Sequence, residues 1–252
     1  MSARVEDKQA ELEHHLLLVL SDSALPTGGF TASSGLESFV QHGLVGDAQV
    51  DLRAFIGQSL RSVAALSIGV LNDAFHAAEA GDAQAIRALD AEHSAMLLNT
   101  AARRASIAQG SALLSLWSRA LAAPGQKSEL VDALRADSRS GVFEAHLPVC
   151  WAVICAVCGL SVSRTRHLFL FLHARALLSC AVRLNIVGPY VGQRFLLHDA
   201  RPMIADALID AELKTTRVPD DDDASHGPAT VSPLLELVAA RHDVLASRIF
   251  NS

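Results

Sequence analysis

The sequence predicts an all-α fold, a single domain of roughly ten helices packed as a helical bundle. Three observations carry that expectation. The apolar mass lies in strong helix formers, 42 Ala and 37 Leu, while the strand-favouring aromatics number only nine Phe, two Trp and one Tyr. Capping residues, Gly and Pro divide the chain into helix-length segments. A 26.7 kDa chain exposes roughly 11,000 Å² when folded against roughly 39,000 Å² unfolded, so that about 70% is buried, enough for one large core.

The elements follow in order. Residues 1–12 are polar and are expected to form a flexible N-terminal segment, with the helical domain running from 13 to 252. An apolar run from Leu16 to Leu20 leads into Leu25-Pro26-Thr27-Gly28-Gly29-Phe30, where Pro and a Gly pair break the helix and permit positive φ. Ser33-Ser34-Gly35-Leu36-Glu37 approximates a capping box for a helix toward Gln41. Asp47 caps a long helix from Ala48 to Ala80 that closes at Gly81. Asp82 caps the next, to about Asn99, and Thr100 a further one to Ala122. Ala123-Pro124-Gly125 marks a loop, and Ser128 starts a helix that stops before Gly141. His146 to Gly159 reads as a buried helix. Ser161 or Ser163 caps the helix from Arg164 to Leu184, which Asn185 and Gly188-Pro189 terminate. Another helix is expected from Tyr190 to Leu213. Residues 217–230, with four consecutive Asp, read as a mobile acidic loop. Pro233, a good first-turn residue, opens a last helix to about Ser247.

Composition excludes several classes. With 21 Lys+Arg against 27 Asp+Glu, a net charge of -6 and no basic stretch, neither nucleic acid nor an anionic membrane is expected as the main partner. The apolar run Leu147 to Leu160 falls short of the roughly 20 residues a membrane span needs. The acidic N-terminus does not resemble a secretory signal, and a cytoplasmic location with four free thiols is expected. The mean hydropathy is positive, which points to apolar surface destined for another chain.

Candidate chemistry is sparse. Cys155 and Cys158, with Cys150 upstream, would share a helix face as a metal or redox site requires; their wholly apolar surroundings favour packing instead. The histidines form no His-x3-His pair. Asp220 to Asp223 lies between Pro219 and Gly227, without a rigid helix to aim carboxylates at an ion. Gly125-Gln126-Lys127-Ser128 lacks the first glycine of a phosphate loop. No catalytic residue, metal ligand set or cofactor is assigned, and a non-enzymatic scaffold is the leading expectation. The alternative is an all-α metal-binding protein or metal-dependent enzyme using Cys155 and Cys158.

Three stretches together carry a family resemblance. Leu20 to Glu37, LSDSALPTGGFTASSGLE, resembles the N-terminal signature of the urease accessory protein UreF family. Phe171 to Tyr190 resembles its central helix and following turn, and Ser232 to Ser252 resembles its tail. The resemblance implies an all-α homodimer with a non-catalytic role in delivering nickel. Family members join UreD/UreH, and together these recruit the GTPase UreG for nickel insertion into apo-urease. Matched residue by residue, it marks Asp22, Pro26, Gly28, Gly29, Phe30, Gly35 and Glu37 in the turn, and Arg241, His242, Arg248 and Phe250 near the end, as partner-binding positions. Phe30 is expected to point outward from a rigid turn, and Arg248 and Phe250 to lie on an exposed tail that orders on binding. The chain departs from the family at Phe30, where many members carry Tyr, and at Ala32, where many carry His or Tyr.

Overall fold

The computed structural model describes residues 2–123, 127–216 and 231–251, with the side chains of 2–9 and 214–216 outside that description. The expected acidic loop at 217–230, and residues 124–126 of the Ala123-Pro124-Gly125 and Gly125 to Ser128 segments, therefore lie outside the described residues. Eleven α-helices and no strand occur among the described residues. They are α1 (Ser2–Leu20), α2 (Leu36–Gln41), α3 (Ala48–Glu79), α4 (Ala83–Met96), α5 (Thr100–Leu116), α6 (Glu129–Ser140), α7 (Leu147–Cys158), α8 (Val162–Arg183), α9 (Pro189–His198), α10 (Ala200–Thr216) and α11 (Pro233–Ala240).

At the centre stands α3, packed against α4, α7, α8 and α10. Asp47 caps it, accepting from the Gln49 and Val50 amides, and Leu52, Ile56, Leu60, Ile68 and Leu71 are wholly or almost wholly buried along it. By length and composition α3 could cross a membrane; here its apolar faces are taken up by four neighbouring helices, the signature of a core helix in a bundle. The apolar α7 lies beside it, and Trp151 seals the α7–α8 pair by donating its indole N–H to the Thr165 carbonyl at 3.1 Å.

The start of α7 rests on a contact between distant segments. The Asp90 carboxylate of α4 accepts from the amides of Glu144 (2.9 Å), Ala145 (3.1 Å) and His146 (2.7 Å) and so fixes the approach to α7, while the Ser106 hydroxyl of α5 accepts from the Leu147 amide at 2.9 Å, the cap that α7 lacks locally. Gly110 of α5 passes so close that a Cβ there would sit 2.0 Å from the Ala145 carbonyl oxygen. Only glycine allows that approach.

Several boundaries differ from expectation. The polar N-terminal residues are continuous with the first apolar run in α1, which begins at Ser2. Asn99, not Thr100, caps α5, accepting from the Ala101 and Ala102 amides, and α5 ends in a π-helical turn, Trp117–Leu121, that buries Trp117. The expected helix 190–213 is two helices, broken at Asp199. That carboxylate pairs with Arg53 of α3, and α10 then packs along α3 while α9 stays on α8. No capping box forms at α2: Gly35, at φ +86°, occupies the N-cap, and the Glu37 carboxylate is used elsewhere. The last helix stops at Ala240, where a 3₁₀ turn, Arg241–Val244, redirects the tail.

Candidate functional site

The chain's two ends meet at one surface. After α1, the Asp22 carboxylate accepts from the Ala24 amide at 2.8 Å, an Asx turn. Arg175 of α8 donates to the Ser21 carbonyl. Pro26 is exposed and stiffens the path into Gly28, which adopts φ +75°. The Thr31 amide and hydroxyl both donate to the Gly28 carbonyl, at 3.0 and 2.9 Å, closing a 3₁₀ turn, Gly29–Thr31. Phe30 leaves this turn 61% exposed, pointing outward as expected.

The tail folds back onto α2. Glu37 is fully buried, at 0% exposure, and its carboxylate accepts from the Ile249 amide at 2.6 Å and the Phe250 amide at 3.2 Å. Ser38 donates its hydroxyl to the Val238 carbonyl at 2.6 Å, and Gln41 its side-chain amide to the Ser247 carbonyl at 2.8 Å. Gly35 makes room for α11, since a Cβ there would lie 2.8 Å from the Ala239 Cβ. His242 is buried, with Nε2 donating to the Phe250 carbonyl at 3.2 Å and Nδ1 3.9 Å from the Glu37 carboxylate. The Asn251 amide then donates to the Thr31 carbonyl at 2.9 Å, joining tail to turn.

This overturns one expectation. Phe250 is not on an exposed tail: at 3% exposure it is packed into its own chain, because Glu37 and His242 satisfy the backbone polar groups on either side of it. Glu37 and His242 are likewise interior and act by holding the tail, and Gly35 by admitting α11. The outward-facing members of the predicted set are Asp22, Pro26, Phe30, Arg241 and Arg248. Near Arg248, Asp243 accepts a bidentate pair from Arg104 of α5, at 2.7 and 3.0 Å. That pairing holds the Asp243 carboxyl below its usual range and leaves Arg248 at the edge, 3.5 Å from the same carboxylate. Leu234 and Leu237 of α11 and Ile249 of the tail add exposed apolar area.

Sequence reasoning missed Arg183, which lies within the family-like segment of α8 and contacts both turn and tail. It also missed a cavity of ≈ 490 Å³ between the turn and α3, α5 and α8, lined by Phe30, Ser59, His93, His173 and Arg175 among others. Burial pushes His93 and His173 down to about 4, so both imidazoles are neutral near pH 7. The Ser59 hydroxyl and His173 Nε2 are hydrogen-bonded at 2.8 Å. No spacing motif marks these residues, since they converge from separate helices.

The cysteines stand apart from all of this. Cys155 is fully buried, and desolvation raises its thiol well above the ordinary value; Cys158 is pushed up to about 11 by burial. Metal binding and redox chemistry both need thiolate. No group of three or more His, Cys, Asp or Glu residues placed to hold a metal occurs among the described residues.

Fold and site together define a class: an all-α protein whose preorganised feature is a composite surface of turn and tail. Residues 47–199 match the UreF family model, more than half of the chain, and the chain belongs to the UreF family of urease accessory proteins. It is 38% identical to Urease accessory protein 6 of Cryptococcus neoformans, over 95% of this chain and 97% of that protein. To Urease accessory protein UreF of an Arthrobacter species it is 34% identical, over 92% and 94%. To Urease accessory protein F of Arabidopsis thaliana it is 31% identical, over 92% and 90%. The turn and tail lie beyond the span of the family model, whereas these relatives match over nearly the whole chain.

Proposed function

We propose that this protein is a non-catalytic scaffold of urease maturation that docks UreD/UreH through its turn–tail surface and with it recruits the GTPase UreG, for insertion of nickel into apo-urease. The observation that carries this reading is the exposed Phe30 on a turn fixed by Gly28 and locked to the docked tail. A preordered aromatic anchor, joined to a docked tail that carries Arg248 outward and to a helix, α11, that exposes leucines, has the make-up of a protein-binding hot spot. The family supplies the partners, and its members' names as accessory proteins agree with a role without chemistry of its own. The cytoplasm is the compartment this role requires, and a homodimer, using apolar surface elsewhere on the bundle, is part of the same proposal.

Co-purification tests it. The intact chain retains UreD/UreH and, in its presence, UreG, while Phe30→Ala and Arg248→Ala each weaken retention without lowering the melting temperature. Failure of the intact chain to retain UreD/UreH refutes the assignment.

A further inference from the structure

Arg183 is the last residue of α8, and it touches both halves of the surface. Its Nη2 donates to the Phe30 carbonyl at 2.6 Å. The same guanidinium lies over the Phe250 ring, with Cζ 4.3 Å from the ring centroid. A third, longer contact, Nε to the Ser179 carbonyl at 3.4 Å, orients the side chain along its own helix. Just beyond, Asn185 adopts φ +56°, and the chain turns away and leaves the guanidinium at the helix end.

We propose that Arg183 is a positioning residue that sets the turn and the C-terminal tail in one register, so that Phe30 and Arg248 meet a protein partner as a single surface. Glu37 grips the tail backbone from α2, and the Asn251-to-Thr31 hydrogen bond joins tail to turn. Arg183 adds a second link of a different kind. A planar guanidinium can donate from its edge to a carbonyl while its face covers an aromatic ring. A lysine ammonium in its place can satisfy one of these contacts at a time. The docking role of the surface is the one proposed above, whereas the coupling is a property of the free chain.

Hydrogen exchange on the full chain reads the coupling without any partner. The reporters are the Thr31 and Ala32 amides in the turn and the Phe250 and Asn251 amides in the tail. Arg183→Met keeps the aliphatic stem and loses both contacts. It is expected to speed exchange about tenfold in both segments together, the combined size of an exposed cation–π contact and one hydrogen bond, with the melting temperature almost unmoved. Arg183→Lys restores at most one segment. Phe250→Leu, which leaves the Phe30 carbonyl contact in place, loosens the turn as well, and it adds nothing in the Arg183→Met background. Because Arg183 and Phe250 touch, non-additivity at the tail amides follows from contact alone; the coupling is read at the Thr31 and Ala32 amides, which an arginine that merely packs on Phe250 would leave unmoved by Phe250→Leu. Loosening of the tail alone, or independent, additive effects of the two substitutions, overturns the coupling. UreD/UreH binding, measured in parallel, weakens about tenfold with Arg183→Met; unchanged binding refutes the link from coupling to docking. If the intact protein binds no UreD/UreH, the docking reading falls and the exchange data still decide the coupling.

Discussion

Replacing Glu37 by Gln isolates the contact on which the tail depends. The carboxylate is wholly buried and accepts two backbone N–H groups, from Ile249 at 2.6 Å and Phe250 at 3.2 Å. Gln keeps the shape but offers one oxygen, so its amide NH₂ must face one of those donors. A hydrogen bond to a charged group contributes about 1.5–3 kcal/mol net, and a buried donor left unpaired costs about 1–3 kcal/mol. Removing the charge also removes its desolvation cost, which offsets part of the loss. The balance is about 2 kcal/mol against the docked tail, or roughly 30-fold in its equilibrium. Hydrogen exchange at Phe250 and Asn251 measures it, because those amides exchange when the tail lifts while α3 and α7 stay closed. The expected result is roughly 30-fold faster exchange at the tail with core protection retained. Unchanged tail protection would show that packing of Phe250, rather than Glu37, holds the segment.

Two further outcomes follow from the same geometry. Gly35→Ala forces a side chain into the left-handed region at φ +86° and against Ala239 at 2.8 Å, costing about 2–4 kcal/mol from strain and overpacking; a shift in urea unfolding free energy below about 1 kcal/mol would contradict this. His173 is half-buried at the cavity wall, and desolvation lowers its value to about 4, so the unfolded chain takes up a proton near its ordinary value of 6.5 before the folded one does. Its contribution is therefore present above about pH 6.5 and lost as pH falls toward 4, at up to about 1.4 kcal/mol per pH unit. His173→Gln, which keeps a partner for Ser59, flattens the decline in unfolding free energy over that range; an identical pH profile would refute the assignment.

What the sequence made legible follows the range of each signal. The bounds of α3 and α6 come from Asp47, Ser128 and Gly141 acting on their own neighbours, and these were readable. The turn was readable for the same reason, since Gly28 needs only its own backbone freedom. The break at Asp199 was not, because its partner Arg53 lies 146 residues away. Nor was the role of Glu37. Its position three residues after Ser34 looks like a local cap, but its carboxylate is claimed by amides 212 and 213 residues distant. The inward Phe250 has the same origin: a terminal Phe reads as free until the groove that receives it is assembled from α2, α8 and His242. Arg183 sits in a familiar stretch of sequence, yet only the tertiary fold brings Phe30 and Phe250 to its two sides.

The measurement that tests the central claim most directly is equilibrium binding of UreD/UreH to the intact chain and to Phe30→Ala, at matched folding. Phe30 is 61% exposed and makes no core contribution, so its removal leaves stability unchanged and weakens binding by about 2 kcal/mol, roughly 30-fold, if it is the anchor. Equal affinities for the two proteins would contradict a docking role for the turn, and no affinity for the intact chain would contradict the scaffold itself.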